Sequence, residues 1–155
     1  IQQYLQSSKD LAAKQGYLET IFGRRRYFRM LQHTGDDRAS AVVRARMERE
    51  AINMPVQGTN ADIIKHAMIR LPDRLRGGGY QARLILQVHD ELVLEVPDAE
   101  IVPVAALVCE VMEAAGTLDV PLKTEAKVGL NWTDMQPLEE WQAVQAANAT
   151  VRTRR

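Results

Sequence analysis

Apolar and polar positions alternate with changing period along the chain, and each period predicts an element. Over residues 2–15, Tyr4, Leu5, Leu11 and Ala12 recur at helical spacing, and Gly16 ends the helix. In "GYLETIFGRRRYF", Tyr17, Ile21, Phe22, Tyr27 and Phe28 favour short strands, with Gly23 as the turn between them. "HTGDD" reads as a loop in which Asp36 or Asp37 caps the next helix. An arginine-rich helical stretch follows over residues 38–53. Pro55 has no N–H to donate, so residues 55–58 predict a break or a kink. Residues 59–76 form a second helix, with Ile64, Ala67, Met68 and Leu71 on one face, and Gly77-Gly78-Gly79 stops it. Two strand-like runs, residues 81–88 and 92–96, then meet in "LILQVHDELVLEV" and look like a buried hairpin. Pro97-Asp98 ends the hairpin, with Asp98 as a cap for the next helix. That helix, residues 100–115, carries the apolar stripe Ile101, Val104, Ala105, Val108, Val111 and Met112. Leu122, Thr124, Ala126 and Val128 alternate with charged neighbours and predict a further strand. After Leu138 the chain turns polar, which predicts a weakly packed tail. The fold class is α+β, with helices packed on a small, mostly antiparallel sheet.

Composition narrows the class. The 155 residues, 46% hydrophobic and 26% charged, suffice for one domain with a core, or for part of a larger one. No apolar run approaches the roughly 20 residues of a membrane span, and there is no signal-peptide pattern. The single Cys109 excludes an internal disulfide framework, suits a reducing cytoplasm and reads as a small core residue. The net charge of zero hides an asymmetry: residues 1–76 carry 14 Lys and Arg against 8 Asp and Glu, and residues 77–155 carry 6 against 12. A basic half beside an acidic half suits a protein that grips a polyanion and binds metal, although scatter over two solvated faces explains the charges too. The chain opens as Ile1-Gln2-Gln3-Tyr4-Leu5, without Met and already in a helical pattern, which reads as the interior of something longer.

Three stretches carry candidate chemistry. In His89-Asp90-Glu91, ionisable residues occupy a hairpin tip where a two-residue primed turn favours Asn-Gly or Gly. Adjacent carboxylates on a rigid turn suit a divalent cation such as Mg²⁺, which takes oxygen ligands; the competing reading is an exposed acidic turn. Arg24, Arg25 and Arg26, followed by an aromatic residue, suit phosphate contact and stacking, or else a solvated basic loop. In "REAINMPVQGTNAD", Asn53 and Gln57 flank the predicted break, where their amides suit base edges or serve as helix caps.

Taken together, "GYLETIFGRRRY", "INMPVQGTNADIIKHAM" and "LQVHDELVLEVP", in that order, resemble the last part of the polymerase domain of the family A DNA polymerases, the bacterial DNA polymerase I type. The closing "VGLNWTDM" is similar to that family's final strand and Gly-x-Asn-Trp ending. The resemblance covers residues 1–138 and implies a right-hand fold, of which residues 1–35 are the end of the fingers and 36–138 a palm portion, leaving 139–155 as a polar tail. It implies that Asp90 is the catalytic carboxylate of a two-Mg²⁺ site and Glu91 a supporting, metal-proximal carboxylate, while His89 contacts the primer's terminal phosphate. It also implies that Gln87, Arg49, Asn53 and Gln57 lie along the primer–template minor groove, and Arg24, Arg25 and Arg26 beside the duplex. The implied activity is template-directed nucleotidyl transfer from dNTPs, in the cytoplasm at the nucleoid.

The chain also departs from that pattern. The family's first metal-binding Asp and its triphosphate-binding fingers helix have no counterpart here, so only part of the metal site is expected from this chain. Its expected partners are therefore primer–template DNA, dNTP and the upstream remainder of the polymerase domain, and the chain alone is expected to be inactive. A non-catalytic duplex-binding module is the alternative. Where relatives often have Pro-Asp after the basic run, this chain reads Arg29-Met30-Leu31.

Overall fold

The structure, a computed structural model, describes residues 1–32 and 38–152, with side chains except at 38–40 and 147–152. The expected loop "HTGDD", with Asp36 and Asp37 as caps, lies outside the described residues. The chain divides into two compact units, Ile1–Lys65 and His66–Arg155.

In the first unit, helix α1 (Gln2–Gln15) ends where Gly16 takes a left-handed φ of +77° and returns its N–H to the Ala12 carbonyl at 3.0 Å. Glycine enters that region without a Cβ clash, which is why the chain can turn there. Strands β1 (Tyr17–Glu19) and β2 (Arg25–Tyr27) pair antiparallel, with Tyr17 opposite Tyr27. A 3₁₀ turn, Arg29–Leu31, follows. It stands where the family pattern differs, yet it delivers Leu31 into the core. That core joins Ala12, Leu18, Phe28 and Leu31 to Ala51 and Met54 of helix α2 (Arg38–Gly77). The Tyr4 hydroxyl donates to the Ile52 carbonyl at 2.9 Å, and Lys9 pairs with Glu48 at 3.3 Å, so α1 is pinned to α2 by polar contacts as well.

Helix α2 corrects one expectation. The sequence predicts a break or a kink at residues 55–58 and a second helix after it; a single 40-residue helix instead runs through Pro55 and on through Pro72, so the break is absent. An interior proline costs about 3 kcal/mol. Against that, Ala51 and Met54 before Pro55, and Thr59, Asp62, Ile63 and Ile64 after it, are all buried. Packing on both sides outweighs the lost bond, so tertiary context overrides the local signal.

In the second unit, the α2 segment from Ala67 to Leu75 buries Ala67, Leu71 and Leu75. Helix α3 (Ile101–Glu113) buries Val104 and Val111, and Cys109 is half-buried on it. Arg70 donates to the Ala114 carbonyl at 2.8 Å and Arg74 pairs with Glu110 at 2.8 Å, so the two helices are tied at the end of α3. Asp98 does not cap α3; it starts a short 3₁₀ turn, Asp98–Glu100, that leads into the helix. The Glu100 carboxylate turns back instead and accepts the Gln81 N–H at 2.9 Å and the Ala82 N–H at 3.2 Å. It thereby seats the base of the hairpin β3 (Arg83–Val88) and β4 (Glu91–Glu95).

The sheet expectation also changes. The strands form three separate two-stranded antiparallel ribbons: β1–β2, β3–β4, and β5 (Lys127–Val128) with β6 (Gln136–Pro137). The predicted strand over 122–128 keeps its alternation, with Leu122, Thr124, Ala126 and Val128 half-buried between exposed neighbours, but only Lys127 and Val128 find a ladder partner. The β3–β4 hairpin is not buried: Ile85 is 60% and Leu86 44% exposed, and an irregularity between Leu84 and Leu86 shifts the register. After Leu138 the polar segment is a helix, α4 (Leu138–Arg152), with Trp141 half-buried. Among the described residues, no helix is long and apolar enough to cross a membrane.

Candidate functional site

The functional residues expected from sequence fall in both units: the basic run, Arg49, Asn53 and Gln57 in the first, and Gln87 with the acidic turn in the second.

The basic run follows the turn of the β1–β2 hairpin, closed by Thr20 N–H to the Arg24 carbonyl at 3.0 Å and Gly23 N–H to the Thr20 carbonyl at 2.9 Å. Each arginine is engaged within its own unit. Arg25 donates to Glu19 at 2.5 Å and lies over the Tyr17 ring at 4.5 Å; Arg26 donates to Glu50 at 2.5 Å and lies over Phe28 at 5.5 Å. The expected stacking therefore exists, but on the chain's own rings. Glu50 also accepts from Arg46 at 2.9 Å; that bond, with the charges of Arg26 and Arg46, holds its carboxyl below the ordinary range against the opposing effect of partial burial. Arg24 is held differently. Its Nε donates to Asp62 at 2.7 Å and its terminal nitrogen to the Gly58 carbonyl at 3.0 Å, both on α2.

The unbroken α2 brings Arg49, Asn53 and Gln57 into register. Residues four apart on a helix share a face, so the three form one stripe about 12 Å long at 1.5 Å per residue. All three are exposed, and none is bonded to another described side chain. The predicted break had separated Asn53 from Gln57; the helix instead aligns their amides behind one guanidinium.

The acidic turn is a two-residue loop. Val88 pairs with Glu91, leaving His89-Asp90 as the connection. His89 has φ +53°, the only non-glycine residue with positive φ among those described. The left-handed region costs a residue with a Cβ about 1–2 kcal/mol, so the turn is strained at the residue before Asp90. The Gln87 side-chain amide donates to the His89 carbonyl at 2.5 Å and clamps that conformation. Glycine would relieve the strain; the presence of His89 marks a position where local preference is overridden. Asp90 and Glu91 are exposed, and neither forms an ion pair with a described residue. Their oxygens are the donor type Mg²⁺ takes, usually as one or two carboxylates completed by water and phosphate. Among the described residues no group of three or more His, Cys, Asp or Glu is placed to hold a metal ion.

Sequence reasoning missed Asp62 and Gly58. Both lie inside the quoted "REAINMPVQGTNAD", but a small residue and an acid one turn apart on a helix give no sign of their pairing until the partner strand is known.

The profile of DNA polymerase family A matches residues 1–134. The chain is 45% identical to DNA polymerase I of Chloroflexus aurantiacus over 139 residues, covering 89% of this chain and 14% of that protein. It is 48% identical over 136 residues to the thermostable DNA polymerase I of Thermus filiformis, covering 86% and 15%. Among solved structures it is similar to the POL domain of Pol1 from M. smegmatis in complex with DNA primer-template and dNTP, with a TM-score of 0.71, 43% identity, and coverage of 79% of this chain and 21% of that one. The chain thus spans about one seventh of the length of these curated relatives. With a family profile over residues 1–134 and identities of 45–48% across most of its length, the chain belongs to DNA polymerase family A.

Proposed function

We propose that this chain is the C-terminal fingers and palm portion of a DNA-directed DNA polymerase, extending a primer from dNTPs on a DNA template. The observation that carries the reading is the strained His89-Asp90 turn, which displays two carboxylates with no ion-pair partner among the described residues at the end of a clamped hairpin. Asp90 and Glu91 would hold Mg²⁺. Held there by Asp90 and Glu91, Mg²⁺ would supply Lewis-acid chemistry, lowering the pKa of the primer 3′-hydroxyl and offsetting negative charge at the α-phosphate.

The chain's own residues do the rest. Asp90 sets the position of that charge through a turn that Gln87 keeps from relaxing. His89 places a ring nitrogen for a primer phosphate oxygen. Asn53 and Gln57 present amides to the minor groove, where every base pair offers acceptors at similar places, so pair shape is tested without reading sequence. Arg49 extends that stripe, and Arg25 and Arg26 supply salt-sensitive phosphate attraction. The exposed apolar strand residues Ile85 and Leu86 suit cover by the upstream remainder of the domain. The resulting enzyme would act in the cytoplasm, at the nucleoid.

In a complete polymerase carrying this segment, Asn53→Ala or Gln57→Ala is expected to slow extension or erode fidelity by about tenfold, the worth of roughly one hydrogen bond to a buried partner. The fold should hold, because both side chains are exposed. Steady-state extension from matched and mismatched primer ends measures the effect, and unchanged values in both variants would remove the stripe from the minor groove.

A further inference from the structure

The hairpin tip meets helix α2 over one turn of helix, immediately after Gln57. Three contacts cross the junction, and a fourth braces the turn itself. Arg24 Nε donates to Asp62 at 2.7 Å, and its terminal nitrogen reaches the Gly58 carbonyl at 3.0 Å. The Ile21 N–H donates to the Thr59 hydroxyl at 3.2 Å, and the Arg24 N–H to the Thr20 hydroxyl at 3.2 Å. Thr20, Thr59 and Asp62 are all buried.

Gly58 explains how the elements come so close. A Cβ there would stand 2.7 Å from the Thr20 methyl carbon, which is buried and has nowhere to go. Glycine costs a helix interior about 1 kcal/mol relative to alanine; its place here is accounted for by close approach. Asp62 is the most enclosed acid among the three arginine partners: its side chain is 9% exposed, against 40% for Glu19 and 24% for Glu50. Burial pushes its carboxyl up, but the Thr20 hydroxyl, the Arg24 guanidinium and the Lys65 charge outweigh that and hold it below the ordinary range. A buried carboxylate kept ionised makes its partner hard to release, since breaking such a pair leaves an uncompensated charge. The Arg24 side chain is 46% exposed, close to Arg25 at 51% and Arg26 at 53%, so what sets it apart is its enclosed partner and its second bond to the Gly58 carbonyl.

We infer that Arg24 and Asp62 are positioning residues that set Gln57 against the terminal base pair, and that Arg24 serves the duplex through helix α2 rather than by touching phosphate. The inference rests on the reading of Gln57 as a minor-groove contact. The guanidinium holds the carbonyl of the residue next to Gln57 and the carboxylate one turn further on, so it determines where the Gln57 amide stands. In catalysis a misplacement of about 1 Å costs up to about 10²-fold, and a pair-shape sensor is sensitive in the same way.

The test uses the complete polymerase with Asp62→Asn, Arg24→Lys, Arg24→Gln, Arg25→Gln and Gln57→Ala. Two quantities are measured: the ratio of extension efficiency from matched over mismatched primer ends, and the slope of log duplex affinity against log salt. Asp62→Asn and Arg24→Lys should lower the ratio about tenfold, as Gln57→Ala does, and should add nothing when combined with Gln57→Ala. Arg24→Lys retains the charge and keeps the question answerable if Asp62→Asn fails to fold. Arg24→Gln should leave the salt slope unchanged, whereas Arg25→Gln should reduce it by about 1. A reduced slope in Arg24→Gln makes Arg24 a phosphate contact and overturns the inference. A normal ratio in Asp62→Asn and Arg24→Lys, with a lowered ratio in Gln57→Ala, overturns the positioning role alone. A normal ratio in Gln57→Ala overturns the minor-groove reading, and this inference with it.

Discussion

Asp90→Ala, made in a complete polymerase, should reduce primer extension by about 10³-fold or more while leaving duplex affinity within about threefold. On the proposed reading, the loss follows from removing a carboxylate that would hold Mg²⁺ where charge develops, and electrostatic stabilisation there is worth several kcal/mol. Binding survives because the exposed stripe Arg49, Asn53 and Gln57 and the basic run lie in the other unit and do not depend on the turn for their fold. The fold of the hairpin survives too: the Asp90 side chain has no partner among the described residues, and the turn is held by Gln87 and the strand ladder. Single-turnover extension and filter binding on the same preparation decide it. Near-normal extension would take Asp90 out of the reaction and favour a duplex-binding module without chemistry.

The second large effect concerns stability. Phe28→Ala should cost about 3–5 kcal/mol, the usual range for emptying a buried phenylalanine site. Phe28 is 1% exposed and sits among Ala12, Leu18, Leu31, Ala51 and Met54, so its ring is what α1, the β1–β2 hairpin and α2 close upon. Four of those five neighbours are no larger than leucine, two of them alanines, and alanine methyls cannot swing into the space. The cavity should therefore persist, placing the cost towards the upper end. With total stabilities of about 5–15 kcal/mol for a domain, urea midpoints should fall sharply. A drop below about 1 kcal/mol would mean that the core collapses around the gap.

Local signals in the sequence were reliable where the deciding residues are neighbours. Gly16 ends α1 because its own torsion permits the turn, and the hairpin around His89-Asp90 is bounded by its own apolar runs. They misled where distant residues decide. Pro55 announces a break, yet helix α2 continues because Ala51, Met54, Thr59 and Asp62 are buried on both sides of it. The run Arg24–Arg26 reads as one basic feature, but its partners stand 38, 6 and 24 residues away, and they set Arg24, anchored on a buried carboxylate, apart from two arginines on more open ones. The acidic turn stands out in the sequence because Asp-Glu is a poor pair for the centre of a two-residue primed turn. The loop is in fact His89-Asp90, so the anomaly lay one residue earlier than the composition indicated.

The backbone at His89 has a consequence for tolerance to substitution. A φ of +53° suits glycine and asparagine, and it penalises branched side chains most. The residues that would make the hairpin sturdier are thus those that lack the imidazole. Selection for thermal robustness alone would drift His89 towards glycine, and under its proposed contact with a primer phosphate, selection for catalysis would pull it back. The position should behave as a trade-off site, where gains in melting temperature and losses in turnover come from the same exchange.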